Sequence, residues 1–251
     1  MKKQGRVYLV GAGPGSPDLL TIRARDVLGE AEVVLYDQLA GGVRDLLPGG
    51  AELIDCGKSG SRHTMEQAEI ERTMVGKALE GKRVVRLKGG DPFLFGRGGE
   101  ELEALRAAGI PVELVPGVTS AISVPGCVGI PVTHRDHASE VVIMTGHEEP
   151  GREVSSLDWD LLARFRGTIV ILMGVKNLSS IAAGLVARGK DPETPVAIIE
   201  RGLDAGQRVT TGPLGRIGEM GREAGVRPPA VIVIGGVVGL YREEDLCGAR
   251  Q

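Results

Sequence analysis

Apolar and polar residues along the chain follow two periods that alternate almost from end to end. Short runs rich in β-branched residues are typical of strands, whereas apolar residues at every third or fourth position are typical of helices. In the first half of the chain, the strand pattern occurs at Arg6–Val10, Val33–Tyr36, Leu53–Cys56, Arg83–Lys88 and Val112–Val115. The helix pattern occurs between them, at Leu19–Leu28, Val43–Leu47, Met65–Leu79 and Glu100–Ala108. This alternation predicts an α/β fold with mostly parallel strands.

The pattern over Met65–Leu79 is the most regular of the helical ones. Apolar residues recur there at every fourth position, and Thr64 and Gln67 have the spacing of a capping box. Gly81 follows where a C-terminal glycine commonly ends a helix. We therefore expect a helix that starts close to Thr64 and ends shortly before Gly81.

A change of pattern divides the chain. Residues Pro116–Ser139 contain three prolines and several glycines, which predicts a linker and the first helix of a second domain. Beyond this segment, strands are expected at Val141–Thr145, Thr168–Met173, Pro195–Ile199, Gln207–Thr211 and Ala230–Ile234, and helices at Asp158–Phe165, Leu178–Ala187 and Leu214–Glu223. The third and fourth of these strands have glycines between them and are expected to form a hairpin, so the second sheet should be mixed. We predict two α/β domains, residues 1–116 and 117–251, with mixed, mostly parallel sheets and a binding cleft between them.

The composition excludes several classes of partner. The 251 residues carry a net charge of −3 and include one Trp, three Tyr and three Phe. So few aromatic residues on an acidic chain argue against nucleic-acid binding. No apolar run approaches the roughly 20 residues of a membrane span, and from the first residues we expect no signal peptide. The three cysteines are far apart in the sequence, which argues against disulfides and favours a cytoplasmic protein. Together, these features predict a protein that binds neither nucleic acid nor membrane.

Glycine is the residue in excess. The 39 glycines are roughly twice the usual share, and many of them occur in loops that follow predicted strands. The first loop, Val10–Ser16, resembles a dinucleotide-binding turn, and Asp37 could then contact a ribose. Ser16 occupies the position of the third fingerprint glycine, however, and Pro14 prevents a helix from starting there.

Two further loops carry candidate binding groups. The segment Arg86–Glu101 ends a strand with two glycines and Asp91, which could accept a hydrogen bond from a ribose or an amino group. In Asp55–His63, Lys58 and its basic neighbours could bind an anionic substrate. A metal is not expected, because the His134 and His137 pair has no third ligand nearby in the sequence.

Taken in order, these loops resemble those of the tetrapyrrole methylase family, over nearly the whole chain. The resemblance is carried by VYLVGAGPGSPDLLT, VVLYDQL, GKSGSRH, RVVRLKGGDPFLFGRGGEE, VPGVTSAISVPGCVGIPVTHRDHAS, VILMGV and PPAVIVIGGVV. The most specific segments are RLKGGDPFLFGRGGEE and THRDHAS. The resemblance implies two α/β domains, with S-adenosylmethionine folded into the cleft between them.

The resemblance also implies roles for individual residues. Asp37 would be the proton acceptor and Lys58 the proton donor. The residues that would contact S-adenosylmethionine are Pro14, Gly89, Gly90, Asp91, Leu94, Thr119, Ser120, Met173 and Gly202. Two positions depart from the family pattern, which commonly has alanine at Ser120 and arginine at Ser59.

The implied reaction is the methylation of uroporphyrinogen III at two ring carbons, C2 and C7. Its products would be precorrin-2 and S-adenosylhomocysteine. Precorrin-2 would then serve siroheme or cobalamin biosynthesis. The implied assembly is a homodimer. The substrate is a polycarboxylate, and the basic candidates to bind it are Lys58, Arg62, His63, Arg97, His134 and Arg135. The alternatives are a different substrate within the family, a nicotinamide-dependent oxidoreductase, and a binding module without activity.

Overall fold

The structure is a computed structural model that describes residues 5–37, 42–43, 45–57, 65–147 and 157–245. The chain divides into two compact units, Met1–Thr119 and Ser120–Gln251. Each unit contains one five-stranded sheet with helices packed against it. None of the helices in the described part of the chain has the length and apolar character that a membrane crossing requires.

The first unit is built on a parallel sheet. Its strands are β1 (Arg6–Gly11), β2 (Val33–Tyr36), β3 (Glu52–Asp55), β4 (Arg83–Lys88) and β5 (Val112–Val115). Its helices are α1 (Ile22–Gly29), α2 (Gln67–Leu79) and α3 (Gly98–Ala107). The strand order is β3-β2-β4-β1-β5, and every neighbouring pair is parallel.

Helices cover both faces of this sheet, because alternate strand residues point to opposite sides. Val10 and Val85 pack with Val27 of α1 in one apolar cluster, whereas Val7 packs with Met74 of α2 in another, which also includes α3. The connections that follow the adjacent strands β1 and β4 therefore leave over opposite faces. A switch of this kind opens a crevice at the carboxyl ends of the strands, where α/β proteins commonly bind ligands.

The second unit begins with α4 (Ser120–Cys127) and contains a mixed sheet. Its strands are β6 (Val141–Thr145), β7 (Thr168–Leu172), β8 (Pro195–Glu200), β9 (Arg208–Pro213) and β10 (Ala230–Ile234), and its other helices are α5 (Trp159–Arg164), α6 (Leu178–Ala187) and α7 (Leu214–Glu223). The strand order is β6-β7-β10-β8-β9. An apolar core lies between this sheet and helices α5, α6 and α7, and includes Ile171, Leu185 and Ile217.

The α/β class is confirmed, as are the mixed second sheet and the hairpin of β8 and β9. The expectation of mostly parallel strands holds in the first sheet only. In the second sheet, β6 and β7 are parallel, whereas the pairs β7–β10, β10–β8 and β8–β9 are antiparallel. The reason is that β10 inserts between β7 and β8 in the opposite direction, and a local pattern of residues carries no information about strand direction.

The predicted helix Leu19–Leu28 starts too early. The chain first forms a 3-10 turn at Pro17–Leu19, and α1 begins only at Ile22. The side chain of Thr21 caps α1 by accepting a hydrogen bond from the backbone N–H of Ala24 at 3.1 Å. A hydroxyl that satisfies a free N–H of the first turn sets the start of the helix here.

The helix predicted over Glu100–Ala108 starts too late, because α3 begins at Gly98. The helices predicted over Met65–Leu79 and Val43–Leu47 also need correction. The helix predicted over Met65–Leu79 begins at Gln67 with Glu66 as its N-cap residue, and the predicted cap Thr64 lies outside the described residues. In place of the helix Val43–Leu47, the described residues form only short 3-10 turns. A proline and two glycines follow directly, and these residues stop a helix from extending.

Candidate functional site

Three glycines meet at the carboxyl edge of the first sheet. Gly11 ends β1, Gly90 follows β4 and Gly117 follows β5. A Cβ atom added at Gly11 would lie 2.5 Å from both the Cα and the N of Gly117, and 2.6 Å from the carbonyl oxygen of Gly90. A Cβ added at Gly117 would likewise collide with backbone atoms of Gly90 and Gly11. We call this meeting of three backbones the glycine junction; it has no room for a side chain.

Hydrogen bonds join the first and second loops at the junction. The backbone N–H of Gly90 donates to the carbonyl oxygen of Gly13 at 2.7 Å, and the N–H of Gly13 donates to the carbonyl of Gly90 at 3.2 Å. Ala12 donates to the carbonyl of Lys88 at 2.7 Å. Both Gly13 and Gly90 have positive φ angles, of 73° and 67°, a conformation that favours glycine. The predicted contact residue Pro14 is half-buried in the turn that follows.

Asp91 connects the second loop, Arg86–Glu101, to the segment Pro116–Thr119 that follows β5. One of its carboxylate oxygens, Oδ1, accepts from the N–H of Phe93 at 2.8 Å, and the other, Oδ2, accepts from the N–H of Gly117 at 3.1 Å. Both oxygens therefore have protein partners, and Asp91 orders the loops in addition to any contact it makes with a ligand. Leu94 and Thr119 are half-buried in the same two loops.

Asp37 directly follows β2, and its carboxylate is partly exposed. Its Oδ2 lies 3.9 Å from Nη2 of Arg86. The other residue predicted to move a proton, Lys58, lies outside the described residues, as do the neighbouring candidates Arg62 and His63.

A buried cluster of charges lies beside Asp37, and our reading of the sequence did not predict it. Glu101 is completely buried, and its Oε1 accepts hydrogen bonds from Nε of Arg86 at 3.0 Å and from Nζ of Lys88 at 2.8 Å. Burial lowers the pKa of Lys88, and the nearby charge of Arg86 lowers it further. The sequence does contain a signal, since Arg86 and Lys88 are two cations on one face of β4, a strand whose residues from Val84 onward are otherwise apolar.

The second unit places two of its predicted contacts at one edge of its sheet. Met173 follows β7, and Gly202 comes after the end of β8. These two strands run in the same direction on either side of β10. Met173 is half exposed with a φ angle of 57°.

Gly202 packs closely against α4, the helix that the predicted contact Ser120 begins. A Cβ at Gly202 would collide with the side chain of Val124. The residues on either side, Arg201 and Leu203, have positive φ angles of 46° and 68°. The backbone of this turn therefore takes a conformation that non-glycine residues rarely adopt.

Two other interpretations of the sequence concern a dinucleotide site at the first glycine loop and a metal site at His134 and His137. A dinucleotide site needs a helix that starts at the glycine loop, but α1 starts only at Ile22, after the 3-10 turn. The rings of His134 and His137 lie 4.9 Å apart. Within the described ranges, no group of three or more His, Cys, Asp or Glu side chains could hold a metal ion.

The fold and the junction define a class of protein: an α/β protein whose first sheet presents bare glycine backbone at its carboxyl edge. A model of the tetrapyrrole (corrin/porphyrin) methylases matches residues 6–218. The chain therefore belongs to this family. It is 57% identical over 248 residues to the S-adenosyl-L-methionine-dependent uroporphyrinogen III methyltransferase of Methanosarcina barkeri, and the match covers 98% of this chain and 96% of that protein.

Other relatives are longer, and solved structures share the fold. The chain is 50% identical to siroheme synthase 1 of Pectobacterium atrosepticum over 96% of its own length but spans only 49% of that protein. The uroporphyrin-III C-methyltransferase of Thermus thermophilus, crystallised with S-adenosyl homocysteine, superposes with a TM-score of 0.81 at 42% identity. That match covers 94% of this chain and 100% of the Thermus chain.

Proposed function

We propose that this chain is a methyltransferase that uses S-adenosylmethionine to methylate uroporphyrinogen III at C2 and C7, giving precorrin-2. The observation that carries the proposal is the likeness to the Methanosarcina enzyme, which extends over nearly the full length of both chains. The likeness to siroheme synthases supports the same methylation. Because the chain spans about half of those proteins, no other activity of theirs is proposed for it.

The glycine junction fits a methyl donor. On its inner side, Gly11 and Gly117 are packed so closely that no side chain could fit. A Cβ added at Gly90 would meet no described residue within 4 Å, so the backbone of the junction is bare at this position. Backbone carbonyls and C–H groups exposed in this way can approach a ligand closely and form C–H···O contacts.

When bound, S-adenosylmethionine supplies a methyl group on a positively charged sulfonium sulfur, already activated for transfer. The task of the protein is therefore mainly to hold donor and acceptor carbon in line. The residues proposed to contact the donor are Pro14, Gly89, Gly90, Asp91, Leu94, Thr119, Ser120, Met173 and Gly202. The hydrogen bonds of Asp91 support this assignment, because they hold the second loop and the segment after β5 in one arrangement before any ligand binds.

Two residues are proposed to move protons. Methylation of a pyrrole carbon leaves a proton to be removed, and the partly exposed carboxylate of Asp37 is suited to accept it. We assign Lys58 as the proton donor on the resemblance to the family alone. We further propose that the enzyme is a cytoplasmic homodimer serving siroheme or cobalamin biosynthesis, and light scattering in solution would test the dimer.

The proposal is tested by incubating the protein with S-adenosylmethionine and freshly reduced uroporphyrinogen III. Mass spectrometry should show a product that carries two added methyl groups, and none when the donor is omitted. The Asp37→Asn variant should bind the donor normally and turn over slowly. If the wild-type protein binds S-adenosylmethionine but leaves uroporphyrinogen III unmethylated, the proposed substrate is refuted. A panel of corrin intermediates would then identify the right one. Tight binding of NAD in place of S-adenosylmethionine in calorimetry would favour the oxidoreductase alternative.

A further inference from the structure

The buried charge cluster of the first unit contains more positive than negative charge. The side chains of Arg86, Lys88 and Glu101 are 5%, 4% and 0% exposed. Two cations therefore share one carboxylate in a site almost without water. The carboxylate of Asp37, 3.9 Å from Arg86, is a second anion in contact with the cluster, and it is 28% exposed.

Such a cluster is difficult to explain by stability alone. Removing charged groups from water costs several kcal/mol for each ion, and apolar residues of similar volume are often as stabilising. Within the described residues, the second oxygen of Glu101, Oε2, is buried and accepts no hydrogen bond. An apolar strand face at Arg86 and Lys88 would avoid both costs. The arrangement is instead suited to holding a charged group in a fixed position.

The guanidinium of Arg86 is held from several sides. Its Nε donates to Glu101 at 3.0 Å, and its Nη1 donates to the backbone carbonyls of Leu87 at 3.1 Å and Leu35 at 3.5 Å. These contacts come from three different elements, α3, β4 and β2. Because the guanidinium is planar and rigid, they determine the direction of the remaining nitrogen, Nη2, which faces Asp37.

We propose that Arg86 is a positioning residue for Asp37, and that Glu101 holds Arg86 in the orientation this requires. The proposal rests on the proposed function, in which Asp37 accepts a proton from the methylated ring. A positive charge fixed beside the carboxylate favours one orientation of it, so the oxygen stays directed at the place where the proton is released. Arg86 itself is too deeply buried to contact a substrate.

The test is a double-mutant cycle on turnover with Arg86→Met and Asp37→Asn. In the wild-type background, Arg86→Met should lower kcat about tenfold to a hundredfold, within the range of general acid–base contributions. The KM for S-adenosylmethionine should change by less than about twofold, because the glycine junction is untouched. In the Asp37→Asn background, Arg86→Met should lower kcat by less than about twofold, since the residue it positions is already disabled.

A second variant covers the case in which Arg86→Met does not fold. Lysine at position 86 keeps the charge and can reach Glu101, but its single nitrogen cannot also face Asp37. The Arg86→Lys variant should therefore fold and still lose about tenfold in kcat. As a matched control, Lys190→Met replaces a buried cation of the second unit by methionine. The Nζ of Lys190 donates to the carbonyl of Phe165 at 2.7 Å. The substitution should lower stability without lowering kcat.

The outcomes separate the inference from the proposed function. Wild-type protein without methyltransferase activity would refute the proposed function, and full activity of Asp37→Asn would refute the role of Asp37. If both hold, equal losses from Arg86→Met in the two backgrounds would overturn the positioning role, as would wild-type turnover in Arg86→Lys. A loss confined to the background that retains Asp37 would support it.

Discussion

Replacing Gly11 by alanine adds one methyl group at the centre of the glycine junction. The new Cβ would lie 2.5 Å from the Cα and N of Gly117, which is 0.9 Å closer than the 3.4 Å at which ordinary contact begins. The carbonyl of Gly90, at 2.6 Å, would have to move by nearly as much. All three neighbours are backbone atoms, so no flexible side chain can turn away to relieve the collision.

The expected cost follows from this geometry. Overpacking by one carbon in a closely packed region costs about 1–3 kcal/mol. Part of that cost falls on the proposed binding site, because the displaced carbonyl of Gly90 also accepts a hydrogen bond from the N–H of Gly13. This bond joins the two glycine loops that are proposed to contact S-adenosylmethionine. Each 1.4 kcal/mol is a factor of about ten in affinity. We expect Gly11→Ala to weaken S-adenosylmethionine binding about fivefold to a hundredfold.

The assay is isothermal titration of the variant with S-adenosylmethionine, together with urea unfolding. Gly76→Ala is the matched control, because Gly76 is exposed in α2 and its added Cβ would meet none of the described residues within 4 Å. The control should raise the free energy of unfolding by about 0.5–1 kcal/mol and leave the affinity unchanged. Wild-type affinity and stability in Gly11→Ala would show that the junction is not rigid, and the steric reasoning would be refuted.

Three further changes have defined outcomes. Asp91→Asn replaces one acceptor oxygen with an NH2 group that cannot accept an N–H, so calorimetry should show about tenfold weaker donor binding, and unchanged affinity would contradict the loop-ordering role. Glu101→Gln leaves two buried cations without their anion and should lower the free energy of unfolding in urea by about 3–5 kcal/mol; a loss below about 1 kcal/mol would show that the cluster is well solvated. Burial lowers the pKa of Lys190, so the unfolded chain binds more protons as the pH approaches 10.5, and wild-type stability relative to Lys190→Met should rise with pH there. A flat or falling difference would contradict that sign.

Much of the secondary structure could be predicted from local pattern. The predicted bounds coincide with those observed for β2, β4, β5, β6, β10, α6 and α7. These elements have strong periodicity and clear breaks at their ends. The errors occurred at the ends of elements. The start of α1 is set by the hydroxyl of Thr21, and α2 begins after Glu66, whose side chain makes no capping hydrogen bond.

The candidate site could be predicted only in part. The loops themselves are visible in the sequence, because glycines that follow strands are a local feature. The charge cluster was missed because Glu101 is in the first turns of α3, where an acidic residue is explained by the helix dipole. Only the packing of α3 against the sheet turns this side chain toward Arg86 and Lys88 and away from water.

The sequence by itself determined which segments form strands and helices, where the glycine loops occur, and which family the chain resembles. These properties depend on neighbours a few residues away. Tertiary structure alone decided that Gly11, Gly90 and Gly117 meet, that β10 enters its sheet antiparallel, and that Arg86 faces Asp37. The physical reason is that each of these contacts joins residues distant in the chain. Their approach is set by the order of strands in the sheet and by the packing of helices on its faces.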